Sequence, residues 1–108
     1  MSDLYSSPEQ FGLTTIGEIQ WGEASYDFDL TVVWKRMDGK FVYAEDSGCS
    51  CPSPFEDSGV EDLHLIASLT ALQAHLDERN AEGIHRGRGD QAVDIAELLE
   101  RLHAVGAR

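Results

Sequence analysis

Between Tyr26 and Lys35 every second residue is large and apolar: Tyr26, Phe28, Leu30, Val32 and Trp34 alternate with Asp27, Asp29, Thr31, Val33 and Lys35. A period of two with one apolar side marks a β-strand covering a core on one face. The pattern ends at Asp38-Gly39, a pair suited to a two-residue hairpin turn because both residues tolerate positive φ. Residues 40–45, Lys-Phe-Val-Tyr-Ala-Glu, then return as the partner strand. With Asp38 and Gly39 alone in the loop, Trp34 faces Tyr43 and Val33 faces Ala44. Residues 13–21 are rich in β-formers, and Gly22-Glu23-Ala24-Ser25 reads as the turn between them and the central strand. Three strands in a row predict an antiparallel meander.

The second half of the chain changes period. Leu65, Leu69, Leu72 and Leu76 share one face of a helix, with Leu63 and Ile66 widening it early. Ser68 and Thr70 are alternative N-caps for this helix or for its second part after a break. Asn80–Gly89 reads as a loop. Asp90 is a good N-cap for a last helix over residues 91–105, with Ala92, Ile95, Ala96, Leu99 and Leu102 as its apolar stripe and Gly106 as its stop. Strands first and helices second predict an α+β fold, a three-stranded antiparallel meander packed against two to three helices on one face. Residues 1–12 form an N-terminal arm, punctuated by Ser6, Ser7, Pro8 and Gly12, which Leu4, Tyr5 and Phe11 can dock. Residues 13–108 form a single domain.

Charge limits the partners. The 108 residues hold 20 acids and 8 bases, a formal charge of −12. Residues 1–62 carry 13 of the acids and 3 of the bases, and residues 45–62 carry six acids and no base. Such a field works against nucleic acid and anionic membranes. No apolar run reaches the length of a membrane-spanning helix. Residues 1–5 lack the basic and apolar regions of a signal peptide, so the expected compartment is the cytoplasm.

Residues 46–59, Asp-Ser-Gly-Cys-Ser-Cys-Pro-Ser-Pro-Phe-Glu-Asp-Ser-Gly, are too rich in glycine, proline and serine for regular structure and read as a loop. The segment Glu45–Asp57, Glu-Asp-Ser-Gly-Cys-Ser-Cys-Pro-Ser-Pro-Phe-Glu-Asp, resembles one found in a group of small uncharacterised proteins encoded by phages of actinobacteria. The likeness extends more loosely from Trp34 to Ala71-Leu72. It implies a phage origin and the cytoplasm of a bacterial host, and it implies no activity.

Cys49 and Cys51 admit three readings. They are metal ligands together with His64, with or without His75, or reactive thiols, or small hydrophobes packing the loop onto the sheet. A Cys-x-Cys spacing is irregular for zinc. The flanking Asp46, Glu56 and Asp57 oppose a thiolate. Packing is therefore favoured, and no cofactor or metal is expected. Phe55, within Pro52-Ser53-Pro54-Phe55, reads first as a core contact under the loop and second as the anchor of a rigid binding loop. His85-Arg86-Gly87-Arg88-Gly89-Asp90 is the one basic cluster. It matches no phosphate-binding fingerprint and reads as a solvated loop balancing the acidic sheet. Asp27 and Asp29 share a strand face that reads as solvated.

No catalytic arrangement emerges, so the chain is not expected to be an enzyme. The leading expectation is a small interaction protein, a monomer or small homo-oligomer, that binds a host or phage protein. Glu45, Asp46, Phe55, Glu56 and Asp57 are its candidate contact residues, steering a basic partner. The alternatives are a DNA-mimic inhibitor of a nucleic-acid-binding enzyme and a small zinc-binding module.

Overall fold

The computed structural model of the chain describes residues 3–21, 27–49, 55 and 59–108. Four antiparallel strands form one sheet in chain order: β1 (Leu13–Gln20), β2 (Asp27–Arg36), β3 (Phe41–Cys49) and β4 (His64–Leu65). Helices α1 (Leu69–His85) and α2 (Ala92–Ala104) follow. The α+β class and the β1–β2–β3 meander match the sequence reading. β4 is an additional strand, only two residues long, pairing Leu65 with Val42 and His64 with Tyr43.

The β2–β3 hairpin turns at Asp38-Gly39, but its loop has three residues and the register differs by one from the two-residue expectation. Arg36 and Lys40 close the ladder through Arg36 N–H donating to Lys40 O at 2.7 Å. Gly39 N–H donates to Arg36 O at 3.0 Å, and Gly39 sits at φ 87°. This is a tight turn followed by a left-handed residue, a common three-residue hairpin loop. The Asp38 carboxylate favours it by accepting from Lys40 N–H at 3.1 Å and from the Arg36 guanidinium. Trp34 therefore faces Val42, and Val33 faces Tyr43. The single-residue change puts Trp34 and Tyr43 on opposite faces of the sheet.

Both faces are covered, which corrects the reading of one solvated side. On one face Ile19, Trp21 and Val33 pack with Leu72 and Leu76 of α1 and Ile95, Leu98 and Leu102 of α2. On the other, Leu30, Val32, Trp34, Val42 and Ala44 pack with Leu4 of the arm and Phe55. The central strand thus runs Leu30-Thr31-Val32-Val33-Trp34 without an exposed residue, as expected of a strand buried on two sides. The arm is a working part of this second core: Leu4 is fully buried and Phe11 packs against the cluster.

β1 carries a bulge at Ile16, between the pairs Thr15–Trp34 and Gly17–Val33. Gly17 lies directly under α2, and a Cβ built there would come within 2.9 Å of Leu98 Cδ1. Leu98 is itself buried. Gly17→Ala is therefore expected to cost about 1 kcal/mol or more through overpacking, read as a lower urea midpoint at unchanged slope. An unchanged midpoint would show that α2 does not sit on this position.

The helical half departs from expectation at its edges. The stretch around Leu63–Ile66 is extended rather than helical, and Leu65 is 56% exposed. Of the two N-cap alternatives, Ser68 is used: its Oγ accepts from Ala71 N–H at 3.1 Å. α1 then continues through Asn80–His85, where the sequence predicts a loop; Leu72 and Leu76 are its buried residues. At α2 the N-cap is Gln91 and not Asp90; Asp90 stands one residue earlier, where its Oδ1 accepts from Ala92 N–H at 2.9 Å, and Gly106 follows the end of the helix at φ 104°. Ile95 and Leu102 are buried as predicted, joined by Leu98, while Ala92 and Ala96 are exposed. β3 extends to Cys49, so residues 46–49 are strand and not loop. The remainder of the predicted 46–59 loop, Phe55 and Gly59 excepted, lies outside the described residues, as does the turn at 22–25.

Candidate functional site

The odd-numbered positions of β2 and β3 face α1, and they include Asp29, Thr31, Tyr43 and Glu45. On α1, His75 and Arg79 are one turn apart on the side turned toward them. The result is a polar cluster roofed by the helix. Arg79 Nη1 donates to Glu45 Oε2 at 2.6 Å, and Nη2 donates to both oxygens of Asp29 at 3.0 and 3.2 Å. Arg88 Nη1 reaches the same Asp29 at 2.7 Å. Thr31, fully buried, accepts from Trp21 Nε1 at 2.7 Å and donates to Glu45 at 2.6 Å. The Arg79 guanidinium lies over the Trp21 ring at 4.9 Å, a cation–π contact. His75 Nε2 approaches Glu45 Oε1 at 3.0 Å.

The electrostatics follow from this geometry. Burial pushes the Glu45 carboxyl upward, but the Thr31 hydroxyl and the Arg79 charge outweigh it and hold it below its usual value. Burial likewise raises Asp29, and Arg88 and Arg79 together bring it lower than an ordinary aspartate. Burial would lower Arg79, yet its bonds to Glu45 and Asp29 leave its pKa raised. These groups keep their charges at neutral pH and satisfy one another. Asp29 is therefore not on a solvated face, as its alternation had suggested. It is a buried-side anchor for two arginines. The side chain of Asp27 lies outside the described residues.

The five candidate contact residues are not one surface. Glu45 belongs to the network above. Asp46 Oδ2 accepts the Phe55 N–H at 2.8 Å and Oδ1 accepts Ser47 N–H at 3.0 Å. Phe55 is fully buried, edge-on to Trp34 at 5.6 Å and stacked with Tyr5 at 6.3 Å. This is the core contact that was its first reading. It is held at φ 62°, a costly conformation for a bulky residue. Glu56 and Asp57 lie outside the described residues, as does Cys51; of Cys49 only the backbone is described. His64 and His75 flank the Tyr43 ring at 5.1 and 5.2 Å. Among the described residues no group of three or more histidines, cysteines and acids is placed to hold a metal. In the basic cluster, Arg88 balances Asp29, while Arg86 pairs with Glu82 at 3.0 Å on the open surface.

Arg79, Thr31 and Trp21 were not singled out in the sequence. The available signal was spacing: Arg79 follows Leu72 and Leu76 by seven and three residues, on the helix's inward side. An arginine there needs acids on the facing strands, and Asp29 and Glu45 supply them.

The fold and its half-buried charge cluster define a small α+β domain in which a four-stranded antiparallel sheet is covered by helices on one face and by an arm on the other. The chain belongs to the family described as domain of unknown function DUF7574, whose model matches residues 2–105. No curated protein and no solved structure matches it. Among the described residues no helix is long and apolar enough to cross a membrane.

Proposed function

We propose that this chain acts by binding a basic protein partner, without catalysis, and that its helical layer presents the charge that steers the encounter. One observation carries the reading. Among the described residues, Arg36, Arg79, Arg86 and Arg88 are all taken up in ion pairs with acids of the same chain. Asp77 and Glu78 of α1 and Asp94, Glu97 and Glu100 of α2 are exposed and have no such pair. Four of the eight bases are thus spent locally, and on the two helices these five acids face outward with Arg101 as the one exposed arginine outside an ion pair among the described residues. A surface of one sign raises the on-rate of a partner of the other sign by roughly 10- to 1,000-fold. Glu56 and Asp57 carry charge of the same sign. The resemblance of Glu45–Asp57 to phage-encoded proteins supports a partner in a bacterial host cytoplasm, of host or phage origin.

A second reading, mimicry of DNA, gains from the same placement. Several exposed acids stand on helices, in rows such as Asp94-Glu97-Glu100, beside those on strands and turns such as Glu18 and Asp38. The partner's own basic surface would then be one that binds nucleic acid.

Affinity capture from host lysate, with wild type beside the variant Asp77→Lys/Glu78→Lys/Glu97→Lys/Glu100→Lys, tests the proposal. A recurrent partner retained by wild type and lost by the variant, with circular dichroism unchanged, is the expected result. A parallel Glu56→Lys/Asp57→Lys variant assigns the share of the loop. A partner held equally by both charge-reversed proteins would contradict the reading, as would the absence of any specific partner.

A further inference from the structure

Between the β2–β3 hairpin, the β4–α1 connection and the C-terminal residues lies a groove of about 430 Å³. That is the scale of small-molecule sites, roughly 300–1,000 Å³. Phe41, Ile66 and Ala107 give it an apolar floor, and Leu65, 56% exposed, extends its wall. A smaller cavity of about 140 Å³ shares the Leu65–Ala67 wall and continues toward Leu72.

The charge around this groove is the reverse of the rest of the chain. Among the described residues Lys40 and Arg108 line it, and no aspartate or glutamate does. Lys35 stands against its floor, with Nζ 5.6 Å from the Phe41 ring centre. In a chain of 20 acids and 8 bases, these three are cations that form no ion pair among the described residues. The nearest hairpin acid, Asp38, is committed to Arg36 and to the Lys40 N–H. The N-terminus of the 17-residue α1 adjoins the same wall, where Leu69 N–H donates to Arg108 O at 2.8 Å.

We propose that this groove binds a small amphipathic carboxylate, with its apolar body on Phe41, Ile66 and Ala107 and its anionic head between Lys40 and Arg108. The apolar floor excludes a bare inorganic anion as the preferred ligand, because it offers that ion nothing but desolvation. The cationic rim selects a carboxylate over an alcohol or amine of equal length, and the guanidinium fork of Arg108 matches two carboxylate oxygens. The site is separate from the acidic helical face, so it stands or falls independently of the partner reading.

Amide chemical-shift titration of the full chain with hexanoate, hexan-1-ol and acetate tests it. Hexanoate is expected to shift the amides of Lys40, Phe41, Ile66, Ala67 and Ala107 saturably. Hexan-1-ol and acetate should each bind about tenfold more weakly or worse, since each lacks one half of the recognition. Lys40→Glu/Arg108→Glu should weaken hexanoate by a similar factor, and Ala67→Trp, which fills the groove, should abolish binding while the spectrum stays dispersed. Absence of saturation at millimolar hexanoate would overturn the proposal. Equal affinity for hexan-1-ol or acetate would overturn it, as would unchanged hexanoate affinity in the double variant.

Discussion

Trp34→Ala is expected to cost about 3–5 kcal/mol, the usual loss for truncating a large buried aromatic. Trp34 is fully buried on the sheet face away from the helices, where it meets Leu4 of the arm and the edge of Phe55. Its removal opens a cavity beneath the arm and Phe55. Such a loss approaches the whole stability of a small domain, ~5–15 kcal/mol, so the variant should be largely unfolded in mild denaturant. Trp34→Phe separates volume from polarity. The Trp34 Nε1 donor is buried without a partner among the described residues, so phenylalanine keeps most of the packing and removes an unsatisfied group. It should cost clearly less than alanine. A denaturation midpoint unchanged in Trp34→Ala would mean that this second core does not exist.

Arg79→Met should destabilise by about 2 kcal/mol, less than the ~3–5 kcal/mol seen when a fully buried pair is broken, because these side chains keep some solvent contact. Methionine retains much of the apolar stem over Trp21 but leaves Asp29 and Glu45 facing the same space with a single remaining arginine, Arg88. The pH dependence carries the signature. Asp29 and Glu45 have folded pKa values below their ordinary ones. In the unfolded chain they bind protons first as pH falls. Their contribution is therefore complete above about pH 5 and is lost as acid passes from the usual carboxylate range, about 4, through the lowered folded values. In Arg79→Met the share of that contribution owed to Arg79 is gone, while the bonds from Arg88 to Asp29 and from Thr31 to Glu45 remain. The stability gap between wild type and variant should be widest near neutral pH and should close toward pH 3. A gap independent of pH would reduce the role of Arg79 to packing.

The sequence carries some of this structure openly and hides the rest for identifiable reasons. The alternation from Tyr26 to Trp34 and the turn at Asp38-Gly39 locate the hairpin. They do not set its register, since Asp-Gly suits both two- and three-residue loops, and the choice here depends on the Asp38 side chain bonding Arg36 and Lys40. That one residue decided which face Tyr43 and Glu45 occupy. The second covered face was written in Thr31 and Val33, but a threonine between two aspartates and a valine reads as solvated until Trp21 and Arg79 are seen to meet it. β4 is two residues long and leaves no periodicity. α1 extends over Asn80–His85 although Gly83 and the following Arg-Gly pairs suggest a loop. The ends of α2 were legible to within a residue because caps are local: Asp90 bonds Ala92 N–H from one position before the Gln91 N-cap, and Gly106 follows Val105 at the other end. Phe55 was legible as a core residue by type alone, whereas the acids around it were not, because a carboxylate's role depends on which cation folding brings to it.

The claim that exterior acids steer a basic partner is tested most directly by the association rate of the captured partner with the wild-type chain across ionic strength. The account predicts a fall of about tenfold or more as salt rises from well below to well above physiological, where the screening length shrinks from roughly 30 Å to roughly 3 Å. The dissociation rate should change little over the same range. An association rate independent of salt would contradict the account and place recognition in uncharged surface instead.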